Sequence, residues 1–256
     1  MATIRRTTLL LASLAGSAVL ATACSTPSEA EELPKASASQ SADAGSGSAS
    51  SGAKNKEADP AASKDLLEAA EKGDADAVRD AIERGADLET RDGERHTPLL
   101  LASTGDHVEA AKVLVDAGAD PDAVDHQQDT PWLVTGVTGS AEMAKVLAEA
   151  EPDYKLLNRY GGTSLIPAGE HGHVEYIREV TTNPKIDVDI DHVNNLGWTA
   201  LLEAVILGDG GERHQESVKL LLEGGADKNI EDKNGMTALD HAEDKGQDEI
   251  AELLRG

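Results

Sequence analysis

The chain has 256 residues, with 23 Lys+Arg against 48 Asp+Glu and a formal net charge of −25. That balance excludes a nucleic-acid binder, which needs a cationic footprint, and disfavours a polybasic patch on an anionic membrane. There is no Phe, and only two Trp and three Tyr, so any core must be built from Ala, Leu, Ile and Val, which suits close packing of small-residue helices.

Arg5 and Arg6 form a positive start, followed by an apolar run from Leu9 to Ala23. The run is short for a spanning helix and ends in small residues, which predicts a signal peptide over residues 1–23. Its end, Leu20-Ala21-Thr22-Ala23-Cys24, resembles a bacterial lipobox, with Ala21 where leucine is usual. The resemblance implies that Cys24 is lipidated and becomes the mature N-terminus. Cys24 is the single cysteine, so no internal disulfide can form. Residues 24–58 are rich in Ser, Ala and Gly and nearly free of large apolar side chains. Such a segment buries too little surface to offset its ordering entropy and reads as a flexible tether. Its r.m.s. reach is on the order of 30–35 Å.

From about Asp59 onward the chain repeats itself. Thr97-Pro98-Leu99-Leu100, Thr130-Pro131-Trp132-Leu133, Thr163-Ser164-Leu165-Ile166, Thr199-Ala200-Leu201-Leu202 and Thr237-Ala238-Leu239-Asp240 follow at spacings of 33, 33, 36 and 38. Gly85-Ala86-Asp87, Gly118-Ala119-Asp120 and Gly225-Ala226-Asp227 each stand 12 residues before a threonine of that register. In the third and fourth units this marker is degraded to Glu151-Pro152-Asp153 and Asp187-Val188-Asp189.

These residues resemble ankyrin repeats, a family in which each unit is a pair of short helices and a loop. The resemblance implies an all-α repeat fold: a solenoid of six helix-turn-helix units with short β-hairpin loops, preceded by the signal peptide and a disordered linker. The units run 59–91, 92–124, 125–157, 158–193, 194–231 and 232–256. Thr and Pro are suited to opening the first helix, since proline's fixed φ and missing N–H are harmless there. Ala69, Ala102, Ala168, Ala204 and Ala242 would let neighbouring units approach closely. Gly73, Gly139, Gly172, Gly208 and Gly246 are expected at the tight turn between the two helices. The first unit has Lys64-Asp65-Leu66 for the T-P-L motif, and the last stops after Leu253-Leu254. Both have the features of capping repeats.

Candidate chemistry is sparse. His107, His173 and His214 occupy one slot at the start of the second helix, a turn position in the repeat rather than a metal set. His171 adds a neighbour to His173 but no third ligand follows at a suitable spacing. Asp187-Val188-Asp189-Ile190-Asp191 has acids at alternate positions, yet a calcium loop would need Gly and Glu where His192 and Trp198 stand. No nucleophile motif is present. The reading is therefore no catalytic residues, no metal and no cofactor.

The stretch Gly208-Asp209-Gly210-Gly211-Glu212-Arg213-His214-Gln215-Glu216 interrupts the register, Asp209–Arg213 being a five-residue expansion at an inter-helix turn. That edge tolerates insertions, which makes Arg213 a candidate contact.

The resemblance further implies protein partners on a concave face made of loop tips and inner helices. The tip position before each threonine holds His96, Asp129, Gly162, Trp198 and Met236, with Tyr160 close by. The candidate partner-binding residues are Trp198, Tyr160, His96, Met236 and Arg213, with Trp198 favoured as a large ring at an exposed centre. Trp132 replaces a core leucine and is expected to be buried.

The expected protein is a monomeric, exported, non-catalytic scaffold lipid-anchored to the outer face of the bacterial cytoplasmic membrane. It would hold an unidentified protein partner and no nucleic acid. Two other readings remain at this point: a structural protein that binds a cell-wall polymer, and a hydrolase with its site near the 209–213 expansion.

Overall fold

A computed structural model describes residues 58–256. The expected signal peptide, Cys24 and the tether up to residue 57 lie outside the described residues. Twelve α-helices follow in six pairs. They are α1 (Pro60–Lys72) with α2 (Ala75–Glu83), α3 (Pro98–Thr104) with α4 (Val108–Asp116), and α5 (Pro131–Thr138) with α6 (Ala141–Ala148). The next three pairs are α7 (Leu165–His171) with α8 (Val174–Thr182), α9 (Ala200–Ile206) with α10 (Glu212–Glu223), and α11 (Ala238–Lys245) with α12 (Asp248–Arg255).

Each odd-numbered helix packs on the next odd-numbered one, and each even-numbered helix on the next even-numbered one. Two layers result, with the core between them. Leu66, Leu99, Trp132, Leu165 and Leu201 enter it from the first layer, while Leu114, Leu147, Ile177, Leu221 and Leu254 meet them from the second. Trp132 is buried, as expected, and meets Tyr154 edge-on with ring centroids 4.8 Å apart.

The repeated threonines do the work expected of an N-cap. Thr97, Thr130, Thr199 and Thr237 accept a hydrogen bond from the backbone N–H three residues on, and Pro98 and Pro131 occupy the first helical turn. Thr163 departs from this: α7 starts one residue later, behind Ser164, with no side-chain cap.

The loops differ from the expected β-hairpins. Among the described residues there is no strand. Each loop instead closes on its own first side chain. Asp92 Oδ1 accepts from the N–H groups of Glu94 and His96 at 2.9 and 2.8 Å, and the Asp92 N–H donates to the His96 carbonyl at 3.1 Å. Asp125, Asn158, Asn194 and Asp232 repeat the same arrangement. A turn satisfied by its own Asx side chain has little backbone left for a ladder.

Between pairs, the recurrent histidine forms the link. Nε2 of His107, His173 and His214 lies 3.0, 3.0 and 2.9 Å from the carbonyl oxygens of Glu71, Val137 and Glu170, at the end of the preceding unit's first helix. A Cβ on Gly139 would stand 2.4 Å from the His173 ring, and its φ of 71° is left-handed, so both contact and backbone require glycine there.

Two expected turn features are corrected. Gly208 does not carry the left-handed turn of the fifth unit; Gly210 does, with φ 75°. The 209–213 expansion is also partly absorbed into helix. Gly211 caps α10, and Glu212 and Arg213 belong to its first turn, lengthening it to 12 residues. Once Gly211 accepts from the Gln215 N–H at 3.0 Å, the following residues have helical partners and need no loop. Among the described residues, no helix is long and apolar enough to cross a membrane.

Among the glycines, the tightest packing against a neighbouring unit falls at Gly136 in α5. A Cβ there would lie 1.7 Å from the Ser164 carbonyl oxygen, so backbone stands where a methyl group would go. Gly136→Ala is expected to destabilise the domain by about 1–3 kcal/mol through overpacking. Urea denaturation of the two proteins checks this, and an unchanged midpoint would contradict it.

Candidate functional site

The first-layer helices and the loops enclose a cleft of about 550 Å³ spanning the middle units. Val134 and Val137 of α5, Ile166 and Glu170 of α7, and Glu203 and Leu207 near the end of α9 form its walls. Tyr160 and Leu196 reach it from two successive loops. Seven large hydrophobic side chains are exposed among the described residues, and four of them, Val137, Tyr160, Leu196 and Leu207, line this cleft. Apolar groups gathered on one concavity mark a binding surface better than the same groups scattered singly.

Within those apolar walls sits a carboxyl group. Glu203 is only 5% exposed. Its Oε1 accepts from Asn194 Nδ2 at 2.8 Å, while no hydrogen bond reaches Oε2 among the described residues. Burial pushes its pKa up to about 7, the nearby Glu170 carboxylate adds to the rise, and the Asn194 bond partly opposes it. The equivalent helix position holds Leu101, Val134 and Pro167 in the three preceding units.

The sixth unit uses the same two positions with the opposite chemistry. There His241 Nε2 lies 3.0 Å from Asp232 Oδ2. The Met236 and Asn234 N–H groups together with His241 hold the Asp232 carboxyl down at about 2, against the opposing effect of burial. An aspartate at 194 would repel Glu203. The asparagine found there supplies an N–H donor instead.

Of the five candidate partner-binding residues, only Tyr160 reaches the cleft; the tip residues Asp129 and Gly162 also line it, as does His171. The Tyr160 ring is 58% exposed, with the Arg159 guanidinium 4.6 Å from its centroid and held in turn 3.3 Å from Asp129. Trp198 does not stand at an exposed tip. It is half-buried against the core, and its backbone N–H donates to Asn194 Oδ1 at 3.0 Å. The residue before each threonine is the second leg of a closed Asx turn and is drawn inward; the exposed position lies two residues after the turn's first Asp or Asn, where Tyr160 and Leu196 sit.

His96 bridges two loops, with Nδ1 2.8 Å from Asp92 and Nε2 3.4 Å from Asp125. Met236 is half-buried and closes the sixth loop. Arg213 spends its Nε–H on the Gly172 carbonyl at 3.1 Å. Glu203, Glu170, Leu196 and Leu207 were missed. The readable signal for Glu203 was an acid at a position that is apolar in the three preceding units, paired with Asn rather than Asp at the start of its loop.

The histidine of the expansion has no free nitrogen. Nδ1 of His214 lies 2.8 Å from Asp209 Oδ1, and Nε2 is engaged with the Glu170 carbonyl. Among the described residues, no three His, Cys, Asp or Glu side chains form a group that could hold a metal ion.

The paired helices, capping threonines and Asx loops define a class, and comparison with known proteins agrees. A family model described as ankyrin repeats (three copies) matches residues 66–158 and 185–256, and the chain belongs to that family. The unmatched interval covers all of α7 and α8; in α7 the threonine cap is lost and Pro167 lies within the helix. Over 98 residues the chain is 45% identical to the putative ankyrin repeat protein YahD of Escherichia coli, covering 38% of this chain. It spans about half the length of that relative, 48%.

Among solved structures, an ankyrin repeat domain from Acinetobacter baumannii is 42% identical, with a TM-score of 0.69, over 74% of this chain and 95% of that one. The ankyrin repeat protein EF0377 is 39% identical, with a TM-score of 0.71, over 75% and 97%. A chain of the complex between the predatory endopeptidase Bd0816 of Bdellovibrio bacteriovorus and the immunity protein Bd3460 is 25% identical, with a TM-score of 0.62, over 75% and 97%.

The raised pKa of Glu203 has a consequence for stability. A carboxyl that holds its proton more tightly folded than unfolded costs nothing below the ordinary glutamate value of 4.5, and its penalty grows as pH rises to about 7. Glu203→Gln removes the penalty. The variant is expected to match the native protein near pH 4 and to exceed it by on the order of 2–3 kcal/mol at pH 8. Denaturation at both pH values checks this, and a variant less stable at pH 8 than the native protein would contradict it.

Proposed function

We propose that this chain is a non-catalytic scaffold, anchored outside the bacterial cytoplasmic membrane through a lipid on Cys24, that holds a protein partner in the cleft formed by α5, α7, α9 and their loops. The observation that carries this reading is the convergence of Val137, Tyr160, Leu196 and Leu207 on one concavity. Ankyrin-repeat proteins serve as interaction modules, and one structure this chain is similar to is a complex of an endopeptidase with an immunity protein. The lipobox-like Leu20-Ala21-Thr22-Ala23-Cys24 and the Ser/Ala/Gly-rich tether support the envelope location. An Arg159-stacked tyrosine at the rim suits a partner-facing anchor, since aromatic side chains commonly carry interface energy. The domain acts as a monomer in this reading.

The test is crosslinking in intact cells with a photoreactive side chain in place of Leu196, compared with one in place of Lys112 on α4. A protein enriched only from position 196, and lost to the soluble fraction together with the scaffold when Cys24→Ser is introduced, is the expected outcome. Equal recovery from both positions, or a Cys24→Ser protein that stays with the membranes, contradicts the corresponding half of the reading.

A further inference from the structure

The cleft's apolar walls fit a side chain with an aliphatic stem, but its floor is acidic. Glu203 and Glu170 face one space from adjacent helices, and Glu203 has one oxygen without a hydrogen-bond partner despite being 5% exposed. The unbonded oxygen is not sealed in the core but opens to the cleft that Glu203 lines, and a purely core role would be better served by the Leu, Val or Pro found at that position in the three preceding units. The protein's own cations do not complete the site. Arg159, in the loop at the rim, is committed to Asp129 and the Tyr160 ring.

Resting on the partner-binding reading above, we propose that the cleft receives one basic side chain of the partner, an arginine or a lysine. Its stem lies between Val134, Ile166, Leu196 and Leu207, and its cationic head reaches the free oxygen of Glu203, with Glu170 alongside. A space of about 550 Å³ accommodates such a group with neighbouring residues of the partner. The complementarity extends beyond the floor, because a chain of net charge −25 draws a basic partner toward it from a distance.

Docking is coupled to a proton. The groups facing Glu203 are Glu170 and His171 from α7 and Asn194 from its own loop, with Asp129 and Arg159 at the rim. At pH 6 Glu203 holds its proton, and the arriving cation displaces it to solvent. At pH 8 the carboxylate is already formed, and the cation relieves its repulsion with Glu170.

The experiment uses the full chain and two peptides, acetyl-Ala-Leu-Arg-Leu-amide and its counterpart with norleucine in place of arginine. Binding is followed by calorimetry at pH 6 and pH 8 in buffers of different ionisation enthalpy. The expected result is that the arginine peptide binds at least about tenfold tighter than the norleucine peptide at pH 8. It should also weaken about tenfold at pH 6 and release a proton there, as one linked proton requires. Glu203→Gln, which keeps the size of the group, should abolish both the preference and the pH step.

Equal affinities, no detectable binding of either peptide, or a pH step that survives Glu203→Gln would overturn the inference. A partner captured from position 196 alongside equal peptide affinities removes this inference and leaves the scaffold reading standing. A partner captured equally from both positions removes both.

Discussion

The interaction on which the rest of this structure depends is the backbone-to-backbone approach of successive first helices. At Gly136 and Gly169 a single methyl group would lie 1.7 and 2.4 Å from the carbonyl oxygens of Ser164 and Ala200. Ala102, Ala168, Ala204 and Ala242 are fully buried along the same stack. With so little room between helices, each pair can bury an apolar face only against the next pair. The histidines then fix the offset. At three of the five junctions an Nε2–H, from His107, His173 or His214, donates to the end of the preceding first helix, satisfying a carbonyl that the helix itself leaves free. In the last junction the same office passes to Lys245 and Gln247, which donate to the Val205 and Gly208 carbonyls.

Much of this was legible in the sequence because it depends on residues that recur. Threonine, the leucine after it, the small residue and the histidine each stand at a fixed offset, and local chemistry suffices to place them. What was not legible depends on the relation between neighbouring units. The tip positions illustrate it. A residue before the threonine looks exposed in a linear pattern, but the Asx turn folds it under, so Trp198 packs against the core and Leu196 faces outward. The expansion at 209–213 also read as a loop, because five extra residues signal an insertion without saying whether helical hydrogen bonds will absorb them. Three more residues at the start of α10, Glu212, Arg213 and His214, and one displaced left-handed glycine resulted.

The candidate site shows the same division in sharper form. Its apolar members are scattered in the sequence across three units, and no local pattern joins Val137 to Leu207. Glu203 was readable as an acid following Leu101, Val134 and Pro167 at the same position of the three preceding units, yet its meaning needs two partners supplied by different elements, Asn194 from the loop before it and Glu170 from the preceding unit. The sixth unit clarifies the design. With His241 and Asp232 at the equivalent positions, the carboxylate has an imidazole partner and is held ionised by backbone N–H groups. With Glu203 and Asn194, the fifth unit leaves a carboxyl that is neutral or charged according to what enters the cleft. The solenoid supplies a rigid wall on either side, and the irregular residue supplies the chemistry.

The central claim is that this buried carboxyl group changes charge in the neutral range because the fold withholds water from it. Direct titration of the Glu203 carboxyl carbon by nuclear magnetic resonance, with Glu203→Gln used to assign the resonance, tests it. The account predicts a midpoint near 7 in the folded protein. A midpoint in the ordinary glutamate range, about 4.5, would contradict it.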